Sequence, residues 1–292
     1  MNITNKKGYL EDDFKIFHLR DKKDINFEFH HHDFSKIVIL IEGDLTYQIE
    51  GRSYVLKPWD ILFVDKNEIH KPSVNPNKFY ERIVIWLNPN FTKKYDFDSD
   101  LLTCFDISTN HKNNLLRLNN LSLNNLRNII QSLINSLHDK DFCNDILKTS
   151  IFLQLMVFIN REFIEYVNND NKSNNKDIIF DSTIQSVLDY INDNLQNNLT
   201  IENIASEFFI SKYYLMRKFK DETGNTIHNY IVKKRLMMAK ELIHKGYTMS
   251  DISSICGFND YSSFVRAFKK VYGVSPSKYN PANKFDYSVS DN

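Results

Sequence analysis

The spacing of hydrophobic and polar positions changes twice along the chain. Between Lys15 and Leu87, short β-branched or aromatic runs occupy Ile25–Phe29, Lys36–Ile41, Leu45–Ile49, Tyr54–Leu56, Ile61–Val64 and Arg82–Leu87. Turn residues separate them, as in Glu42-Gly43-Asp44, Glu50-Gly51-Arg52 and Lys57-Pro58-Trp59-Asp60. Short strands between tight turns predict an antiparallel barrel or sandwich. After about residue 112 the period becomes three to four: Leu126, Ile129, Ile130, Leu133, Ile134 and Leu137 predict an amphipathic helix. A second helix is expected from Asp145 to about Tyr166, with apolar residues nearly all the way round it, as for a helix packed on more than one side. Two roles stay open for this pair: covering the barrel, or pairing with a second copy of the chain. The stretch Asn168 to Lys176 has no apolar surface to offset its ordering entropy and reads as a flexible linker, with a domain boundary near residue 175.

Beyond the linker the chain repeats itself. Leu215-Met216-Arg217-Lys218-Phe219-Lys220 followed by Gly224 returns 49 residues later as Phe264-Val265-Arg266-Ala267-Phe268-Lys269 followed by Gly273. Each copy opens with a short helix, capped by Thr200 or Thr248, and then a second helix starting at Ser211 or at Asn259–Asp260. Gly257 supplies the tight turn in the second copy. Short helix, tight turn and second helix make a helix-turn-helix, whose second helix enters the DNA major groove. Its spacing sorts the faces. Leu215 and Phe219, like Phe264 and Phe268, point inward. Lys212, Tyr213, Met216, Arg217 and Lys220 point outward, as do Ser262, Ser263, Val265, Arg266 and Lys269, and Ser211 stands at the helix start. An arginine there can pair bidentately with guanine while lysines and hydroxyls hold phosphates. A longer helix from Ile227 to His244 is expected to join the copies; its Arg235 reads as a structural salt bridge in preference to a DNA contact.

Charge supports a polyanionic partner. The chain is neutral overall, yet Thr200 to Lys284 carry 14 Lys and Arg against 7 Asp and Glu, a net of +7. The longest apolar run, Ile37 to Ile41, is far too short to cross a bilayer, and Met1 to Lys7 lead into no apolar export segment. These features predict a cytoplasmic protein with no membrane contact. Three cysteines, Cys104, Cys143 and Cys256, are far apart and outside zinc-knuckle spacing, so they read as reduced thiols.

Residues 184 to 281 resemble the DNA-binding domain of the AraC/XylS regulators. The resemblance rests on Ile204-Ala205, Ser211, Leu215-x-Arg217-x-Phe219-Lys220, Gly224, Arg235-Leu236-x-x-Ala239, Ile252, Gly257-Phe258, Phe264-x-Arg266-x-Phe268-Lys269-Lys270 and Gly273-x-Ser275-Pro276-x-x-Tyr279. It departs at Phe209, where a small turn residue is usual, at Ser253 for alanine, and at Asn280 for arginine. In the first half, His30-x-His32, Gly43, Pro58-x-Asp60 and His70 are similar to the cupin sensor domains of that family. Metal-binding cupins close two histidines, a glutamate and a third histidine around one cation. This chain has Lys36 at the glutamate position, which argues against a metal site. The histidines read as a satisfied polar patch or, with Lys36, as a cationic corner for a polar or anionic effector that Trp59 could narrow.

The resemblance implies an α+β chain of two domains. A cupin-like antiparallel β-barrel for effector sensing occupies 1–110, a helical region for dimerisation 111–166, a linker 167–181, and an all-α tandem helix-turn-helix domain 182–283. The function it implies is sequence-specific transcription regulation, as an activator. Double-stranded DNA, a second copy of the chain, RNA polymerase and a small-molecule effector are the expected partners, with no cofactor and no catalytic residue. The alternative is a metal-dependent cupin enzyme fused to a DNA-binding module.

Overall fold

The computed structural model describes Leu10 and residues 12–22, 27–88, 100–169 and 177–279. Met1–Lys7, Asn280 and the far end of the expected DNA-binding domain lie outside the described residues. The chain divides near residue 180 into two compact units.

The first unit is built on two sheets. Strands β1 (Phe14–Asp21), β2 (Ser35–Glu42), β5 (Ile61–Val64), β7 (Tyr80–Leu87) and β8 (Leu115–Leu116) form one sheet in the order β1-β7-β2-β5-β8. The second has the order β6-β3-β4-β9, from β3 (Leu45–Ile49), β4 (Arg52–Leu56), β6 (His70–Val74) and β9 (Ile178–Phe180). β2 is buried on both faces, which accounts for its unbroken apolar run. Ile37 and Ile39 face a helical layer, whereas Val38 and Leu40 face the second sheet and its Leu45, Tyr47, Ile49 and Tyr54. The helical layer is α1 (Thr103–Asn110), α2 (Asn120–His138) and α3 (Asn144–Asn169).

Of the strand expected over Ile25–Phe29, residues 25 and 26 lie outside the described residues and 27–29 form no strand; among the described residues nearby, His30 and His70 form an isolated bridge. β1 and β6 were not foreseen. β1 is a half-exposed edge strand without clean alternation, and β6 carries Pro72, which an edge position tolerates. Leu126, Ile130 and Leu133 are fully buried against the strands and α3 of their own chain, so that stripe covers the barrel and cannot be the face that meets a second copy. At the ends of the expected linker, α3 runs to Asn169 and β9 begins at Ile178. Asp177 explains the second: its carbonyl accepts from Val55 N–H at 2.9 Å, and its carboxylate pairs with Arg117 and Lys57.

The second unit is helical: α4 (Ser182–Asp193), α5 (Ile201–Glu207), α6 (Lys212–Thr223), α7 (Ile227–His244), α8 (Met249–Ile255) and α9 (Tyr261–Tyr272). Side-chain oxygens of Thr200, Ser211, Thr248 and Asp260 accept from the third backbone N–H of the helix each precedes, so all four expected starts are real caps. Gly224 and Gly273 end α6 and α9 in the left-handed conformation that glycine adopts without strain. Among the described residues no helix is long and apolar enough to cross a membrane.

Candidate functional site

The helix-turn-helix units are α5–α6 and α8–α9. Leu215, Phe219, Phe264 and Phe268 are completely buried, which fixes the rotation of α6 and α9 and leaves the opposite face outward. On α6 that face exposes Lys212, Tyr213, Met216, Arg217 and Lys220; on α9 it exposes Ser262, Arg266 and Lys269. Ser211, although exposed, is committed to its cap. Val265 is half-buried and packs on the core of the second copy, so it is only partly available. Ser263 is half-buried too: its hydroxyl donates to Asp260 Oδ2 at 2.7 Å and accepts from Arg266 Nη2 at 3.2 Å. Arg217 makes no ion pair with any described residue, leaving its guanidinium available.

The two turns differ by one residue. Thr200 aligns with Thr248 at an offset of 48, whereas Arg217 aligns with Arg266 at 49. The left-handed residue that reverses the chain is Phe209 (φ 53°) in the first unit and Gly257 (φ 75°) in the second. Phe209 bears the backbone strain of that position, and with its side chain 95% exposed no packing stands against its Cβ. Gly257 has no such freedom, since a Cβ there would lie 2.3 Å from the Leu195 carbonyl oxygen. Arg235 closes the same corner: Nε donates to Leu195 O at 2.8 Å and Nη2 to Asn197 O at 2.7 Å. It is structural, as expected, but its partners are backbone carbonyls in place of a carboxylate.

In the first unit, His30, His32, Lys36 and His70 come together on the inner side of the β2 sheet, and Trp59 does not join them. The Trp59 ring packs on the helical side, with the Arg127 guanidinium 5.0 Å from its centre, because a positive φ of 73° in the Pro58-Trp59 turn sends it there. Lys36 is buried, and its Nζ donates to Tyr47 Oη and to His70 Nε2, both at 2.8 Å. The His70 ring donates from Nδ1 to Glu68 O, which leaves the Nε2 lone pair for Lys36. Likewise His30 Nδ1 donates to Glu28 O at 2.7 Å. His32 stacks on Phe34, and Phe34 meets Trp86, the residue opposite Lys36 across the β2–β7 ladder. Burial and the Arg82 cation pull the Lys36 amine down to about 7, and burial with Lys36 nearby holds His70 well below the usual imidazole range.

Tyr47 and Arg82 were missed in the sequence. The β2–β7 register, pairing Leu40 with Arg82, Val38 with Val84 and Lys36 with Trp86, is the signal that places Arg82 on the Lys36 face. Arg82 is buried and pairs with Asp21 at 2.6 Å. The three imidazoles do bring one ligand atom each to within 4.8 Å of one another. Two features oppose a cation there: Lys36 Nζ already engages the His70 Nε2 lone pair, and the Arg82 guanidinium adds positive charge nearby.

Comparisons with known proteins agree with this architecture. The family model of a helix-turn-helix domain matches residues 204–281, and that of the AraC-like ligand binding domain matches 16–156. The chain is 25% identical over 253 residues to the probable transcriptional regulator LumQ of Photobacterium leiognathi, covering 86% of this chain and 91% of that protein. It is 26% identical over 250 residues to the HTH-type transcriptional activator RhaS of Klebsiella pneumoniae (strain 342), covering 85% of each. Among solved structures, unsaturated fatty acid bound ToxT of Vibrio cholerae matches over 91% of this chain and 94% of that one, with 18% identity and a TM-score of 0.38. The metal-dependent enzyme alternative finds no support among these relatives, which are regulators of transcription. With an AraC-like ligand-binding domain ahead of a tandem helix-turn-helix domain, the chain belongs to the AraC family of transcription regulators.

Proposed function

We infer that this regulator reads one asymmetric DNA site with α6 and α9, and that Arg217 and Arg266 are its main base-reading side chains. The observation that carries the reading is their equivalence. Each stands two residues past a completely buried apolar residue, on the exposed face of the second helix of its unit. Tyr213 and Met216 offer apolar contacts, for which thymine methyl groups are the natural partners, and Lys212, Lys220, Ser262 and Lys269 hold phosphates. Ser211 and Ser263 preset the helix starts. Footprinting tests this: a bound chain protects two short blocks about ten base pairs apart, one helical turn. A single contiguous block would count against two-groove docking.

The first unit acts as the sensor, taking a small polar or anionic effector beside Lys36, His70, His30 and His32. The protein works in the cytoplasm as a homodimer and as an activator that contacts RNA polymerase; RhaS, a relative, carries the activator description. Dimerisation uses α3, whose Ile146, Val157 and Ile164 stay exposed along one side at spacings of eleven and seven.

A further inference from the structure

We propose that Lys36 captures a small reactive carbonyl compound, an aldehyde or a 2-oxo acid, as a reversible imine within the sensor unit. The proposal rests on the sensor reading above and names the chemical class that this site takes.

The geometry is that of an amine held against its own base. Lys36 Nζ lies 2.8 Å from His70 Nε2, and the Glu68 carbonyl fixes that nitrogen as the lone-pair side of the ring. A hydroxyl, Tyr47 Oη, lies 2.8 Å from the same Nζ. The titratable groups around Lys36 come from every neighbouring element: Tyr47 on β3, His70 on β6, Tyr80 and Arg82 on β7, and His30 and His32 ahead of β2. None of these is a carboxylate, and Asp21 is spent on Arg82. A buried lysine with no acid beside it among the described residues is a poor structural device, because an apolar residue would fill the space without the desolvation cost of a charge. The same surroundings make the neutral amine available near neutral pH, and the neutral amine is the nucleophile toward carbonyl carbon.

The steps balance without an oxidant or a cofactor. Neutral Nζ forms a bond to the carbonyl carbon, and a proton passes from nitrogen to the former carbonyl oxygen, with His70 Nε2 as carrier. The resulting carbinolamine loses its hydroxyl as water, protonated by the His70 and Tyr47 pair, and the C=N bond forms. Hydrolysis reverses the sequence. The Arg82 guanidinium, which shares its charge with Asp21, makes the surroundings tolerant of a carbonyl compound bearing a carboxylate. Capture removes N–H donors from Lys36 and so loosens its bonds to β3 and β6, a local change suited to a signal.

The test uses the full chain with glyoxylate and cyanoborohydride, followed by peptide mapping and, in parallel, DNA binding by fluorescence anisotropy. The expected result is a carboxymethyl group on Lys36 at neutral pH, formed on the order of tenfold or more faster than on exposed lysines such as Lys140. The Lys36 rate should rise to a plateau above about pH 7, where Lys140 still reacts slowly. His70→Asn and Tyr47→Phe should slow the reaction, and Lys36→Arg should abolish it at this position, with thermal melts confirming that each variant is folded. Lys36 labelled no faster than Lys140 in folded protein overturns the imine and leaves non-covalent sensing standing. Selective labelling with unchanged DNA affinity overturns the sensor reading and leaves the amine chemistry intact.

Discussion

Arg235 on α7 donates its Nε–H to the carbonyl oxygen of Leu195 at 2.8 Å, and the Cα of Gly257 sits so close to that same oxygen that no side chain fits between them. One backbone carbonyl thus ties together the turn after α4, the joining helix and the turn of the second helix-turn-helix unit.

Gly257→Ala should therefore be costlier than Gly273→Ala, although both glycines have φ near 75°. At Gly273 a Cβ meets nothing, so the change costs only the left-handed backbone, about 1 kcal/mol. At Gly257 the backbone of Leu195 and Gln196 must also move, which brings the loss to at least about 2 kcal/mol. Urea denaturation of the two variants checks this; equal losses would show that the corner yields freely.

Arg217→Ala and Arg266→Ala should each relax base preference in one of the two protected blocks, at on the order of 1 to 3 kcal/mol of discrimination. The effects should be nearly additive, because the two arginines share no partner. Lys220→Ala should weaken all sequences alike and flatten the salt dependence of binding. Binding-site selection reads these outcomes directly, and unchanged preferences in both arginine variants would move base readout elsewhere.

The pH dependence of stability should carry the mark of Lys36. Its amine titrates at about 7 when folded against an ordinary 10.5, so between those values the unfolded chain binds a proton that the folded chain does not. Stability therefore rises with pH across that window, and the penalty is complete below it. Lys36→Met removes this contribution: its stability relative to the natural protein should fall by a few kcal/mol in all as pH rises from about 7 to about 10, at up to about 1.4 kcal/mol per unit. The lost bonds to Tyr47 and His70 offset the absolute value but not this slope. Parallel denaturation curves across the window would mean that Lys36 is protonated as readily in the folded chain.

Changes on the two long helices should separate assembly from folding. Val157→Glu and Ile164→Glu, at positions 38% and 42% exposed, should shift sedimentation toward monomer with little change in unfolding. Leu126→Ala, at a completely buried position, should cost about 2 to 5 kcal/mol of stability. A dimer unaffected by either glutamate would place the interface off this face of α3.

Neighbouring residues alone set the local elements and the repeat. Helix caps, apolar period and left-handed glycines are properties of a few neighbouring residues, so Thr200, Ser211, Thr248, Asp260, Gly224 and Gly273 could be read without a fold. The inward and outward faces of α6 and α9 followed from helical spacing alone. Tertiary structure decided what each face meets. The period of α2 was legible, but only packing against the strands and α3 shows that Leu126, Ile130 and Leu133 are spent inside their own chain. Strand register, a contact between distant residues, put Arg82 on the Lys36 face, and a single positive φ sent Trp59 to the other one. Asp177 fell within the linker expected over 167–181, just past its polar stretch, yet Arg117 and Lys57, 60 and 120 positions away, hold it in place. Burial and partners belong to the assembled fold, and they turned Lys36 from the cationic corner that the sequence suggests into an amine poised near neutrality.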